Sequence, residues 1–151
     1  SAFIDPLTGA YSRRYFEKFL ADSEQINGVV VIDVDRFKAV NDSYGHLVGD
    51  KALESISAAV QACLRESDIL VRYGGDEFIA VLRNVSKAEL ERRLRSIPPI
   101  EADGGMLVTS SVGVFYQEKV ENLDAKALIQ RADRAMYDAK ATGKHGLAVE
   151  E

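Results

Sequence analysis

The 151-residue chain has no tryptophan, a single cysteine, three prolines and two histidines. One thiol excludes an intrachain disulfide and gives a zinc cluster little support. Cys63 falls among Ile56, Ala59, Val60 and Leu64, which predicts a buried apolar thiol. Long hydrophobic runs are also missing. Nothing approaches the length of a membrane span and no signal peptide is visible, so no direct membrane contact is expected. Positive charge is in the minority: 19 Lys and Arg against 24 Asp and Glu leave a net charge of -5. There is therefore no sequence-wide basic field, and no nucleic-acid partner is expected. A polyanionic substrate would need local cations or a metal to offset that charge.

What is present, 46% hydrophobic and 28% charged residues, is the composition of an ordinary globule. At this length one domain over residues 1–151 is expected, burying roughly two-thirds of its unfolded surface. No internal repeat, low-complexity tract or long linker divides it. Tyr11 to Ala21 reads as a first helix with Tyr15, Phe16, Phe19 and Leu20 as its apolar stripe. Gly28 opens the near-continuous apolar run Val29 to Val34, which predicts a central strand covered on both faces. A short helix through Phe37 and Val40 ends at Gly45, and Leu47 to Leu64 carries a long amphipathic pattern on Leu53, Ile56, Val60 and Leu64.

Residues 69–83 read as a β-hairpin. Ser86 with Glu89 reads as a capping box for a helix carrying Leu90 and Leu94, ended by Pro98-Pro99. Leu107 to Tyr116 is a further strand. Leu123 and Asp124 staple and cap a helix carrying Leu128, Ala132, Ala135, Met136 and Ala139, which Gly143 closes. Leu147 to Val149 fits a short edge strand. Because the hairpin must be antiparallel, a two-layer α+β sandwich around a mixed sheet fits better than a doubly wound parallel fold.

The most informative segment is Arg72-Tyr-Gly-Gly-Asp-Glu-Phe78, between the apolar runs 69–71 and 78–82. It predicts a hairpin with a glycine turn and acidic groups at the tip. Glycines let a backbone pass close to a ligand, and adjacent carboxylates suit a divalent cation and its phosphates. Gly and Asp also favour turns, so this segment alone reads equally as a solubilising turn.

Asp33 and Asp35 stand two apart at the end of the first long strand, with side chains on one side. Asp35 reads equally as a cap for the short helix. If that strand neighbours the hairpin, Asp33 meets Asp76 and Glu77. Carboxylates roughly 4 Å apart repel by on the order of 4 kcal/mol per pair at an effective dielectric of 20. A hard divalent cation with oxygen ligands resolves that conflict, and Mg2+, with Mn2+ as substitute, is the expectation. Lys38 begins the short helix, whose free N–H groups bind anions, and Lys140 and Lys144 lie around the end of the last helix. Lysines at helix C-termini are also common for dipole reasons. As a pair, Asn41 and Asp50 can read a guanine: the carboxylate accepts from N1–H and the amino group, and the amide meets N3 and the amino edge.

With these residues in view, the chain resembles the GGDEF-domain diguanylate cyclases over essentially its whole length. The matching segments are Asp5-Pro-Leu-Thr-Gly9 with Arg13-Arg14, Asp33-Val-Asp-Arg-Phe-Lys38, Asn41-Asp42, Gly45-His46, Gly49-Asp50, Arg72 to Phe78, Ser111-Val-Gly113, and Ala132-Asp133 with Ala135-Met-Tyr137 and Ala139-Lys140. The resemblance implies a nucleotidyl-cyclase-like, ferredoxin-like palm, with a mostly antiparallel mixed sheet flanked by helices. It implies condensation of two GTP into cyclic di-GMP by a homodimer, with the alternative of a non-catalytic GTP or cyclic di-GMP receptor.

By family pattern Asp33, the Val34 carbonyl, Asp76 and Glu77 hold Mg2+, two ions per GTP half-site. Asp76 and Glu77 are the catalytic pair, with Glu77 the candidate general base. Asn41 and Asp50 bind guanine with Leu53 near the base, and Lys38, Lys140, Lys144 and the amides of Arg36 and Phe37 hold phosphates. Arg65-Glu-Ser-Asp68 matches the family's RxxD inhibitory site, at which cyclic di-GMP binds as product and inhibitor. Arg92, Arg93 and Arg95 are candidates for its second arginine. Without the resemblance, those residues read as an exposed helix end with a charged pair.

Two departures stand out: Ser12 replaces the usual Asn, and Gly143-Lys144-His145 replaces Gly-Arg-Asn, so Lys144 keeps charge but loses the bidentate fork. The resemblance further implies a catalytic output domain of a longer protein, behind an N-terminal sensor or dimerisation domain. Its expected location is the cytoplasm, compatible with a tether to the inner membrane elsewhere in the protein.

Overall fold

A computed structural model describes residues 2–21, 25–98, 100–102, 107–118, 124–141 and 147–150, without the side chain of Leu147. Its centre is a six-stranded sheet formed by β1 (Tyr11–Ser12), β2 (Gly28–Val34), β3 (Ile69–Arg72), β4 (Glu77–Leu82), β7 (Ser110–Tyr116) and β8 (Leu147–Glu150). A separate two-stranded sheet pairs β5 (Ile100–Glu101) with β6 (Leu107–Val108). Strand order in the main sheet is β1-β3-β4-β2-β7-β8. The β3–β4, β4–β2 and β2–β7 pairings are antiparallel, whereas the outer pairs β1–β3 and β7–β8 are parallel.

The apolar run of β2 is central, as expected, and its alternate residues serve two cores. Val30, Ile32 and Val34 pack with Leu53, Ile56 and Val60 of α3 (His46–Cys63) and Leu90 and Leu94 of α4 (Lys87–Arg95). Val29 and Val31 pack on the other face with Phe16 and Leu20 and with Leu128, Ile129 and Ala132 of α5 (Ala125–Ala141). The layers are therefore helix, sheet, helix, one more than the two-layer expectation. The mixed sheet with flanking helices holds.

Several elements differ in detail from the sequence reading. The first helix does not begin at Tyr11. Tyr11 and Ser12 pair with Val71 and Arg72, because the turn before them is closed by Asp5 N–H to Ala10 O (2.7 Å) and Ser12 N–H to Phe3 O (2.8 Å). Ser12 then caps α1 (Arg13–Tyr15), which widens into a π-helical turn at Phe16–Leu20. That wider turn buries Phe16 and Leu20 but leaves Phe19 51% exposed, against Phe3 and Tyr15. The strand expected over Leu107 to Tyr116 breaks at Thr109, whose carbonyl accepts from Asp35 N–H (2.9 Å).

Ser86 caps α4 through Glu89 N–H (3.1 Å), but the Glu89 carboxylate forks onto Arg92 and Arg93 instead of completing the box. Charge-assisted pairs outcompete the neutral backbone donor. Cys63 is only half-buried, with Sγ 3.4 Å from Ser96 Oγ. Asp124 accepts from Ala127 N–H and caps α5. Leu123, Pro99 and Gly143 lie outside the described residues.

Candidate active site

Antiparallel register sets the centre of the site. Asp33 is the sixth residue of β2 and lies directly opposite Glu77, the first residue of β4, with Ser111 of β7 on its other side. The loop Tyr73–Asp76 closes through Glu77 O, which accepts from Tyr73 N–H (2.8 Å) and Gly74 N–H (3.2 Å), while Val34 N–H reaches Asp76 O (3.2 Å). The sheet thus gathers Asp33, Asp76 and Glu77, as the sequence anticipated. Gly74 and Gly75 do not have left-handed backbone. A Cβ at Gly75 would meet nothing within 4 Å and one at Gly74 would lie 3.6 Å from Glu77 Cβ, so neither crowding nor backbone conformation calls for glycine here.

The acids strain against one another. Burial lifts the Asp33 carboxyl to about 6, helped by the Asp76 carboxyl beside it and opposed by Lys140. Burial also lifts Glu77 to about 7, followed by the charges of Asp133, Asp33 and Asp76, and opposed by Arg13. Asp133 is itself raised by burial. Lys140 Nζ lies 3.3 Å from Asp33 Oδ2 and is the one cation among the described residues bonded to this trio. A folded state with raised carboxyl values binds more protons than the unfolded chain. Its stability is then greatest below the unfolded values and is lost as pH rises through the folded ones. The metal-free protein should accordingly melt at falling temperature as pH goes from about 4.5 to 7, and Mg2+ should flatten that slope. Thermal melts in chelator with and without added Mg2+ check this; a melting temperature that climbs over the interval contradicts it.

An open cleft of about 650 Å³ adjoins these acids, lined by Asp33, Val34, Asp35, Arg36, Phe37, Lys38, Asp76, Thr109 and Lys140. Arg36 takes a left-handed conformation (φ 54°) that turns the chain from β2 into α2 (Phe37–Tyr44). No side chain caps this helix and no acid stands in its first turn, so its first N–H groups have no side-chain acceptor and suit an anion. Lys38 is exposed on the same turn. Lys144 lies outside the described residues.

The donor set suits a small hard cation. Among the described residues, no three His, Cys, Asp or Glu groups form a ready-made metal cage. Mg2+ is nonetheless held characteristically by one or two carboxylates together with substrate phosphates, not by an all-protein cage. The paired acids Asp33 and Asp76, the Glu77 carboxylate and the open anion site at α2 fit that pattern.

Asp35 departs from both expectations: it neither caps α2 nor joins the trio. Its carboxylate accepts from Thr109 Oγ1 (2.7 Å) and Ser111 Oγ (2.5 Å), tying the β2–α2 loop to β7. Asn41 lies on α2, and Asp50 on α3 one residue beyond Gly49, against which the Asn41 amide rests. Leu53 is 1% exposed and belongs to the core beneath α3.

At the far end of the hairpin, Arg65 forks onto Asp68 (Nη2–Oδ1 2.9 Å, Nε–Oδ2 3.2 Å) and also donates to Arg83 O and Asn84 O. The Asp68 side chain is fully buried, and Arg93 Nη1 approaches it at 3.5 Å. Of the three candidate second arginines, Arg93 is the one that reaches this pair; Arg92 is held by Glu89. A cleft of about 370 Å³ runs beside Arg65, Asp68 and Gln61 toward Tyr11.

Three supports had no role in the sequence reading. Asp5 bonds Thr8 and forms an ion pair with Arg72 (3.2 Å), and Arg72 in turn donates to Gly75 O (2.7 Å), bracing the glycine loop from the N-terminal turn. Arg13 lies over the Tyr73 ring at 4.3 Å. Asp133 acts on Glu77 from α5. The first two contacts span long sequence separations and carry no spacing signal. Asp133 did carry one, since it stands seven residues before Lys140 and so on the same helical face.

The chain matches the family model described as "Diguanylate cyclase, GGDEF domain" over residues 2–146. It is 38% identical over 132 residues to Diguanylate cyclase A of Treponema denticola, covering 82% of this chain and 35% of that protein. It is 37% identical over 159 residues to Cyclic di-GMP phosphodiesterase PdeR of Escherichia coli, covering 95% of this chain and 23% of that one. Among solved structures, TpbB (also YfiN) of Pseudomonas aeruginosa, in a form comprising only the GGDEF domain, superposes with a TM-score of 0.82 at 33% identity. That match covers 98% of this chain and 94% of the other. The chain therefore spans about a third or less of the length of the two curated relatives. Among its described residues no helix is long and apolar enough to cross a membrane. With that model matched over residues 2–146, nearly its whole length, the chain belongs to the diguanylate cyclase GGDEF-domain family.

Proposed function

We propose that this chain is the catalytic output domain of a longer protein and condenses two GTP into cyclic di-GMP with release of two pyrophosphates. The observation that carries the reading is the meeting of Asp33, Asp76 and Glu77 beside an uncapped helix N-terminus and Lys38 and Lys140. The cleft holds the triphosphate on the α2 amides and the lysines. Asn41 and Asp50 take the guanine, and Leu53 supports α3 from the core.

Each ribose 3′-oxygen attacks the α-phosphorus of the other GTP in line. The new bond joins 3′-oxygen to phosphorus, the bond to the pyrophosphate oxygen breaks, and Glu77 is the candidate acceptor of the hydroxyl proton. Mg2+, or Mn2+ in its place, would be held by Asp33, the Val34 carbonyl, Asp76 and Glu77, supplying charge neutralisation at the phosphates. One domain offers one half-site, so turnover needs a two-fold homodimer, which the sensor or dimerisation domain of the longer protein would enforce. The reading places the reaction in the cytoplasm, where GTP is supplied.

Arg65 and Asp68 are proposed as the inhibitory product site, with Arg93 as the second arginine. The alternative is a non-catalytic GTP or cyclic di-GMP receptor; PdeR, one of the relatives, is named for phosphodiesterase and not cyclase activity.

Incubation with GTP and Mg2+ at high and low protein concentration, followed by nucleotide separation, tests the assignment. Cyclic di-GMP formation that rises more steeply than protein concentration supports it; none, even with a dimerising segment attached, overturns it in favour of the receptor. In the same assay Arg65→Ala should retain turnover and lose product inhibition. It should also melt at lower temperature, because the buried Asp68 carboxylate loses its fork. Unchanged inhibition removes Arg65 from the product site.

A further inference from the structure

We infer that Gly49 is a positioning residue for base binding that acts through Asn41, an inference resting on the reading of Asn41 and Asp50 as the guanine pair. Gly49 lies inside α3 and is buried. Its backbone is not left-handed, so its conformation does not call for glycine, and a glycine inside a helix is disfavoured relative to alanine. What glycine supplies is room. A Cβ at this position would collide with Asn41 Oδ1 and lie 3.0 Å from Asn41 Cγ and 3.3 Å from Phe37 Cε1.

The backbone of α2 has little freedom to yield. Phe37 packs against the core, and Gly45 N–H is bonded to Asn41 O (2.8 Å) at the corner between the helices. The amide is the part that must move. Asn41 Oδ1 is buried and finds no hydrogen-bond donor among the described residues. Shape alone therefore holds the amide, whose acceptor end is turned against Gly49, leaving the NH2 end for an acceptor on a purine edge such as N3. A methyl group at position 49 re-aims that end without touching a ligand itself.

Binding of 3′-deoxy-GTP, which cannot cyclise, reads this out in the presence of Mg2+, using the parent chain, Gly49→Ala, Asn41→Ala and the double variant. Gly49→Ala should weaken binding about tenfold, the worth of one well-placed hydrogen bond. The double variant should bind no more weakly than Asn41→Ala, because Gly49 has nothing left to position. It should also melt no lower than Asn41→Ala, since the collision is gone, so the comparison stands even if Gly49→Ala alone folds poorly. Binding by Gly49→Ala within about twofold of the parent, or a double variant that loses the product of both single losses, overturns the inference and leaves the guanine pair intact. Absence of binding by the parent chain removes the guanine pair and this inference together.

Discussion

Asp76→Asn should abolish cyclic di-GMP formation, lowering turnover by about a thousandfold or more, the scale seen when a preorganised charge-stabilising group is lost. The substitution keeps size and shape. It also keeps the Asp76 carbonyl that accepts from Val34 N–H, so the hairpin should hold its place on β2. What goes is a negative charge beside Asp33 and Glu77, both of which already resist ionising. The metal-free variant should for that reason melt higher than the parent, by about 2 to 4 °C for each kcal/mol of repulsion relieved. Added Mg2+ should stabilise the parent more than the variant. Loss of activity with a raised apo melting temperature separates a catalytic role from a folding defect. Turnover close to the parent's would remove Asp76 from the reaction, and a lowered melting temperature would make it a structural acid instead.

Gly113→Ala is the substitution expected to damage the fold most. A Cβ on this β7 residue would collide with the Ala132 carbonyl oxygen and lie 2.6 Å from Met136 Cβ and 2.9 Å from Met136 N. Two of these three atoms are helix backbone, so no rotamer change can accommodate the methyl; α5 as a whole must lift from the sheet. Overpacking commonly costs 1 to 3 kcal/mol, and with backbone as the obstacle a loss of about 3 kcal/mol or more is expected, or at least about 6 °C in melting temperature. Since α5 also carries Asp133 and Lys140, the lifted helix should weaken triphosphate binding as well. The matched control is Gly75→Ala, whose Cβ meets nothing within 4 Å and whose melting temperature should stay near the parent's. Equal melting temperatures for the two variants would refute the close approach of α5 to β7.

The candidate site was legible because its acids lie where a local pattern speaks. Asp33 ends an unmistakable strand, and Asp76 and Glu77 follow two glycines between two apolar runs; a single pairing rule then brings them together. Asp35 shows the limit of that logic. Its position two residues beyond Asp33 suggested either a shared face or a cap. Hydroxyl donors on Thr109 and Ser111, more than seventy residues away in sequence, claimed the carboxylate instead. The same holds for Tyr11 and Ser12. Their helical periodicity is overridden by a β3 edge that offers backbone partners, and by a turn that delivers the chain to it. At Arg65 the motif pairs the guanidinium with Asp68, and the folded chain adds the Arg83 and Asn84 carbonyls, which no local spacing announces.

By itself the sequence determined the order and type of the main elements, the mixed sheet, and the identity of the acids Asp33 and Asp76 and the lysines Lys38 and Lys140 that gather at the cleft. All of these follow from periodicity, turn chemistry and charge within short windows. Only the tertiary structure decided which helices cover each face of the sheet, that Asp5 and Arg72 brace the glycine loop, and that Gly49 and Gly113 are required for space. Those features depend on which surfaces meet after folding. Steric fit between a backbone and a side chain from another element leaves no periodic trace in the sequence of either.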